Sequence, residues 1–122
     1  MDCIFCDINK EKIIYETSHW FAIFDEYPVN QGHTLLIPKR HVESVFELNE
    51  EEKTTLVDSI KDIESLLIRF FNIDGFNIGI NQGKVAGQTI NHLHIHIIPR
   101  YDGDVSNPRG GVRGVIPEKQ DY

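Results

Sequence analysis

NHLHIHIIPR, residues 91–100, sets His92, His94 and His96 against Leu93, Ile95 and Ile97. Side chains two apart share one face of a strand. The alternation therefore predicts a strand over 92–99, with three imidazoles on one face and three aliphatics packed into a core on the other. Half of the chain's six histidines stand on that one face.

The surrounding chain supplies the partners such a strand needs. IIYE (13–16), WFAIFD (20–25), HTLLIPK (33–39) and FNIGIN (76–81) read as further strands. Pro38 predicts that its strand ends there or lies at an edge. Leu56, Ile60, Ile63, Leu67 and Phe70 recur at spacings of four and three, which predicts one apolar helical stripe facing a sheet, from about Asn49 to Phe71. Asn49 and Glu52 form a capping box, and Asp74-Gly75 is expected to close the far end. Hairpin-length links and a single long helix point to an α+β fold with a five-stranded antiparallel sheet. A parallel doubly wound sheet would need a helix between successive strands. Beyond Tyr101 the periodicity is lost, and the tail either wraps over the domain or stays mobile.

Length suits one domain. A formal charge of −7 argues against bulk binding of nucleic acid or an anionic membrane, though not against a small anion held by local donors. No segment has the roughly 18 continuous apolar residues of a membrane span. The start, MDCIFCDINK, does not read as a signal peptide, so a cytoplasmic location is expected. Two cysteines, Cys3 and Cys6, cannot build a disulfide scaffold. Alone, their C-x-x-C spacing is a metal half-site, a redox pair or neither.

Three chemistries compete for the histidines. One is a polar face that happens to use histidine. Another is a single metal site made of all three. It fails on geometry, because same-face neighbours stand about 6.5–7 Å apart while zinc takes nitrogen at about 2.0–2.1 Å. The third is nucleophilic catalysis: neutral imidazole attacks phosphorus near pH 7, and neighbours that fix its tautomer activate it.

HLHIHII also resembles the signature of the histidine-triad (HIT) family of nucleotide hydrolases and transferases. The likeness runs from CIFCDI through FDEYPVNQGHTLLIPKRH and NQGKVAGQTINHLHIHIIPR, about residues 2–101. It implies a HIT-like fold, a short N-terminal helical turn, a HIT domain over 1–104 and a tail over 105–122. It implies that His94 is the nucleophile, forming a covalent nucleotidyl intermediate. His96, Gln88 and Thr89 would bond phosphate and leaving group, and His33 and Asn81 would line the same site beside Gly87. Asp25 would hold the ribose hydroxyls, Glu26 would belong to the same nucleotide site, and Ile4, Phe5, Ile8 and Phe24 would hold a purine base. It implies a structural zinc on Cys3, Cys6, His41 and His92, no organic cofactor, and a two-fold homodimer formed through the helix and a strand edge. The activity implied is hydrolysis at the α-phosphate of adenosine phosphoramidate-type substrates with release of AMP. The alternatives are diadenosine polyphosphate hydrolysis, or nucleotide binding with vestigial catalysis. Family members of the Hint type carry a tryptophan in the C-terminal segment, whereas the single tryptophan here is Trp20. Arg109 and Arg113 in the tail either reach distal phosphates or stay solvated.

Overall fold

The computed structural model describes residues 3–122; Met1 and Asp2, where the expected domain starts, lie outside the described residues. Five antiparallel strands, β1 (Ile13–Glu16), β2 (Trp20–Phe24), β3 (Thr34–Pro38), β4 (Gly75–Ile80) and β5 (Ile95–Arg100), form one sheet in the order β1-β2-β3-β5-β4. One long helix, α1 (Glu50–Phe70), crosses one face. An N-terminal turn, with the Cys6 and Asp7 amides on the Cys3 carbonyl, covers part of the other.

The alternation within each strand makes two cores. Trp20, Ala22, Leu36, Ile95 and Ile97 meet Ile63 and Leu67 of α1. Phe21, Ile23, Leu35 and Ile37 point the opposite way and pack with Cys3 and Phe5. Burying a branched or aromatic side chain of this size contributes about 1.5–3 kcal/mol, so both faces hold the N-terminal turn and the helix in register with the sheet.

Helix α1 starts where the sequence requires. The Asn49 side chain accepts from the Glu52 amide at 2.9 Å, and Glu52 accepts from the Asn49 amide at 2.8 Å. Glu52 is buried and also takes the Arg40 guanidinium. Burial pushes its carboxyl up, but the Arg40 and Asn49 donors together hold it below the ordinary value.

Three local expectations are corrected. Phe70 is 70% exposed; Phe71, extended past the helix end, takes its place against the core. Phe71 caps α1 through its amide on the Leu67 carbonyl, and Gly75 instead opens β4. Pro38 ends β3, the first of its two expected placements, and that strand is interior. The last strand begins at Ile95, because pairing with β3 and with β4 both stop there. His92 and His94 precede it, tied by the Leu93 amide to the Val42 carbonyl at 2.7 Å.

The tail folds onto the domain. Its short 3-10 helix Gly111–Val115 lies against β4. Arg113 donates to the Lys119 and Gln120 carbonyls, and the Arg109 and Arg113 guanidinium groups both stack on the Tyr122 ring, 4.7 and 4.6 Å from its centroid. Both guanidinium groups stay exposed to solvent while they stack on that ring.

Candidate active site and metal cluster

The main chain on either side of Leu93 aims two histidines at two different places. His94 is buried, and its Nδ1 lies 2.9 Å from the His92 carbonyl oxygen. A carbonyl only accepts, so Nδ1 carries a proton, and in the neutral ring Nε2 keeps its lone pair. His92 is held the other way round. Its Nε2 lies 2.8 Å from the Pro38 carbonyl and must donate, which leaves Nδ1 unprotonated.

The lone pair on His92 Nδ1 points at sulfur: Cys3 Sγ is 3.3 Å away and Cys6 Sγ 3.6 Å. His41 Nδ1 lies 3.2 Å from Cys6 Sγ. Cys3, Cys6, His41 and His92 thus bring one ligand atom each within 4.8 Å of the others. Desolvation and the neighbouring Cys3 thiol push the Cys6 thiol up to about 11. A bound cation would reverse that and hold both sulfurs as thiolates. Two sulfurs and two imidazoles are the donor set of a closed tetrahedral zinc site.

On the other side of His94 lies a relay of imidazoles. The buried His33 accepts from the Val29 amide at Nδ1, 3.0 Å. In its neutral form it donates from Nε2 to His96 Nδ1, also 3.0 Å. His96 therefore presents Nε2 as a donor. Burial pushes His33 down, against the pull of Asp25; burial and the neighbouring His94 and His33 push His96 down. Both are neutral near pH 7. Asp25, His33 and His96 also lie close enough to hold an ion. The proton that Val29 forces onto His33 Nε2 makes them a hydrogen-bond relay rather than a ligand set. Gly32 positions this relay: its φ of +89° turns the chain into His33, and a Cβ there would meet Pro99 and Phe71 at 3.1–3.2 Å.

Beside the relay, a cavity of about 630 Å³ is walled by Ile4, Phe5, Ile8, Ile23, Leu35 and Ile90, with Asp25, Glu26 and Lys12 at its polar end. Phe5 stands edge-on to the His92 and His94 rings, at 5.9 and 5.3 Å. Glu26 pairs with Lys12 at 2.7 Å. The cavity has the apolar wall and convergent polar groups of a small-molecule site.

Phe24 is not part of it. It is 46% exposed on the helix side, edge-on to Phe71. Ile23 takes the expected place. The period of two could have found it, since Ile23 shares a strand face with Asp25. Gln88 is also placed otherwise: its amide donates to the Glu43 and Ile90 carbonyls and accepts from the Gly83 amide. Both amide hydrogens are engaged in staking down the loop before the triad. Thr89 lines a groove with Cys3 and His41, on the side of the cysteine cluster. Asn81 packs next to Gly87.

A HIT domain model matches residues 8–103. The chain belongs to the HIT family. It is 45% identical over 106 residues to an uncharacterized HIT-like protein of Methanocaldococcus jannaschii, covering 84% of this chain and 81% of that one. It is 44% identical over 100 residues to the bis(5'-adenosyl)-triphosphatase of Dictyostelium discoideum, covering 82% and 67%. Among solved structures it is similar to a zinc-bound HIT protein of Mycobacterium smegmatis: TM-score 0.77, 35% identity, 88% of this chain and 81% of that chain. As a HIT protein, the chain presents its middle triad histidine, His94, with Nε2 available. His92, first in the triad, joins the cysteines instead of the relay.

Proposed function

We propose that this HIT protein is a nucleotidyl hydrolase acting at the α-phosphate of purine nucleotides, through a covalent intermediate on His94. The observation that carries the reading is the His94 Nδ1–H bond to the His92 carbonyl, which leaves Nε2 as a nucleophile beside a nucleoside-sized slot. Nε2 attacks phosphorus, the bond from phosphorus to the leaving atom breaks, and the leaving group departs with its electron pair and takes a proton from solvent. Positive charge on the ring is stabilised through Nδ1–H by the His92 carbonyl. His96 Nε2–H donates to the phosphate oxygens, where negative charge gathers in the transition state. Water then attacks phosphorus and gives up a proton to solvent, the P–N bond breaks, and its electrons return to Nε2. The products are AMP and the protonated leaving group. Asp25 meets the ribose hydroxyls, and the apolar slot holds the base.

Adenosine phosphoramidate-type substrates fit best, because the tail arginines are engaged with Tyr122 and carbonyls rather than offered to distal phosphates. Diadenosine polyphosphate hydrolysis is the second reading, favoured by the similarity to the Dictyostelium triphosphatase. We further assign a structural zinc to Cys3, Cys6, His41 and His92, which would clamp the N-terminal turn to the triad segment. The reduced cysteines it needs suit a cytoplasmic location. A homodimer through α1 and the β4 edge is supported by that unpaired edge and its half-exposed Ile78 and Ile80.

The test is AMP release from adenosine 5'-phosphoramidate and from diadenosine tetraphosphate, with His94→Ala alongside. His94→Ala should lower kcat at least about a thousand-fold. AMP binding should stay within about ten-fold, since the lost interaction belongs to the transition state. Turnover retained by His94→Ala would remove the nucleophile assignment.

A further inference from the structure

Among the four tyrosines, three have evident work inside the fold. Tyr15 donates to Asp62, Tyr101 to the Gln31 carbonyl, and Tyr122 lies under two guanidinium groups. Tyr27 is different. It is 86% exposed, and among the described residues neither its ring nor its hydroxyl has a partner. An aromatic ring left bare adds nothing to the core, yet this one stands on the rim of the apolar slot, with Asp25 and Glu26. Its main chain is not loose. The Tyr27 amide donates to Asp25 Oδ1 at 2.9 Å, and Pro28 restricts its backbone to extended conformations. One short turn thus fixes a carboxylate at the polar end and an aromatic ring at the mouth of the same cavity.

Part of the slot's wall is aliphatic: Ile4 (62% exposed), Ile8 and Ile90 offer an apolar surface to one face of a planar ring. A base lying on that wall would keep its other face in water unless something covers it. Tyr27 is the aromatic group at the mouth that can do so, and every base has a π-face to stack on.

We propose that Tyr27 is a specificity-determining residue that closes over the slot and stacks on the nucleobase, so that the site selects nucleotides by their base as well as by ribose and phosphate. The proposal rests on the nucleotide reading of the slot. Its role lies in binding, away from the reacting atoms, so it should act on KM and leave kcat alone.

The experiment is calorimetric titration of wild type, Tyr27→Ala and Tyr27→Phe with AMP and with ribose 5-phosphate, alongside steady-state kinetics. Tyr27→Ala should weaken AMP about ten-fold, the low end of what one lost base–aromatic stack costs. Ribose 5-phosphate affinity should not change, and Tyr27→Phe should keep wild-type AMP affinity. KM should rise with kcat held. AMP affinity within two-fold of wild type in Tyr27→Ala would overturn the proposal. Equal losses for AMP and ribose 5-phosphate would also overturn it, placing the effect on the Asp25 turn. Wild type that binds no AMP would remove the nucleotide reading itself, a result distinguishable from a Tyr27 variant that binds AMP normally.

Discussion

His92 and His94 are two residues apart, buried alike, and each bonded to a main-chain carbonyl, yet they are prepared for different chemistry. His92 gives its Nε2 proton to Pro38 and turns the Nδ1 lone pair toward two sulfurs. His94 gives its Nδ1 proton to His92 and keeps the Nε2 lone pair for a ligand. Which nitrogen meets the carbonyl decides whether an imidazole becomes a ligand or a nucleophile. The two regions share a main-chain segment, so disturbing the cluster should reach the nucleophile, while the reverse should not hold.

The largest expected effect tests that asymmetry. Replacing both cysteines, Cys3→Ser with Cys6→Ser, should abolish binding of about one zinc per chain. It should lower Tm by about 10 °C, several kcal/mol at this chain length. Turnover should fall as well, because the His92 carbonyl loses its anchor. His94→Ala should keep its zinc and its Tm. Metal analysis finding no zinc in freshly purified, reduced wild type would break the comparison on the His92 side.

A smaller effect is expected within the relay. His33→Phe removes both the donor to His96 and the acceptor for Val29. It should reduce kcat about 10- to 100-fold with zinc content unchanged, read by steady-state kinetics and metal analysis. A variant with wild-type kcat would show that His96 needs no partner.

The smallest is a pH effect. His33 and His96 titrate below the ordinary histidine value in the folded chain, chiefly through burial. Between the folded and unfolded values the unfolded chain binds more protons, so their contribution is complete above about pH 6.5 and is lost as pH falls further. Thermal unfolding of zinc-loaded protein from pH 7.5 to 5 should show Tm falling with acid, and less steeply in His96→Asn. Equal slopes in the two proteins would show that burial of His96 does not carry the effect.

Much of this was legible in local pattern. The apolar stripe and the Asn49–Glu52 box placed α1, and the alternation in 91–100 put Leu93, Ile95 and Ile97 in the helix-side core. The rest depended on chain segments far apart in sequence. Nothing near His92 announces that the Pro38 carbonyl, 54 residues away, sets its tautomer, or that Val29 does so for His33. Ile23 rather than Phe24 faces the slot because β2 keeps its period of two up to Asp25, a count that composition alone obscures. Gln88 reads as a free donor until its carbonyl acceptors are seen. The tail carries no periodicity because Tyr122 and two arginines, not a strand or helix, organise it.

The central claim is that His94 Nε2 is the atom that takes the nucleotidyl group. Its most direct test is to mix wild-type protein with excess adenosine 5'-phosphoramidate, quench within the first turnover at alkaline pH, digest, and map the modified peptide by mass spectrometry. The result expected is one nucleotidyl group on the peptide holding residues 91–100, at His94, and none in His94→Ala. Turnover with the adduct on another residue, or with the same adduct in His94→Ala, would contradict it.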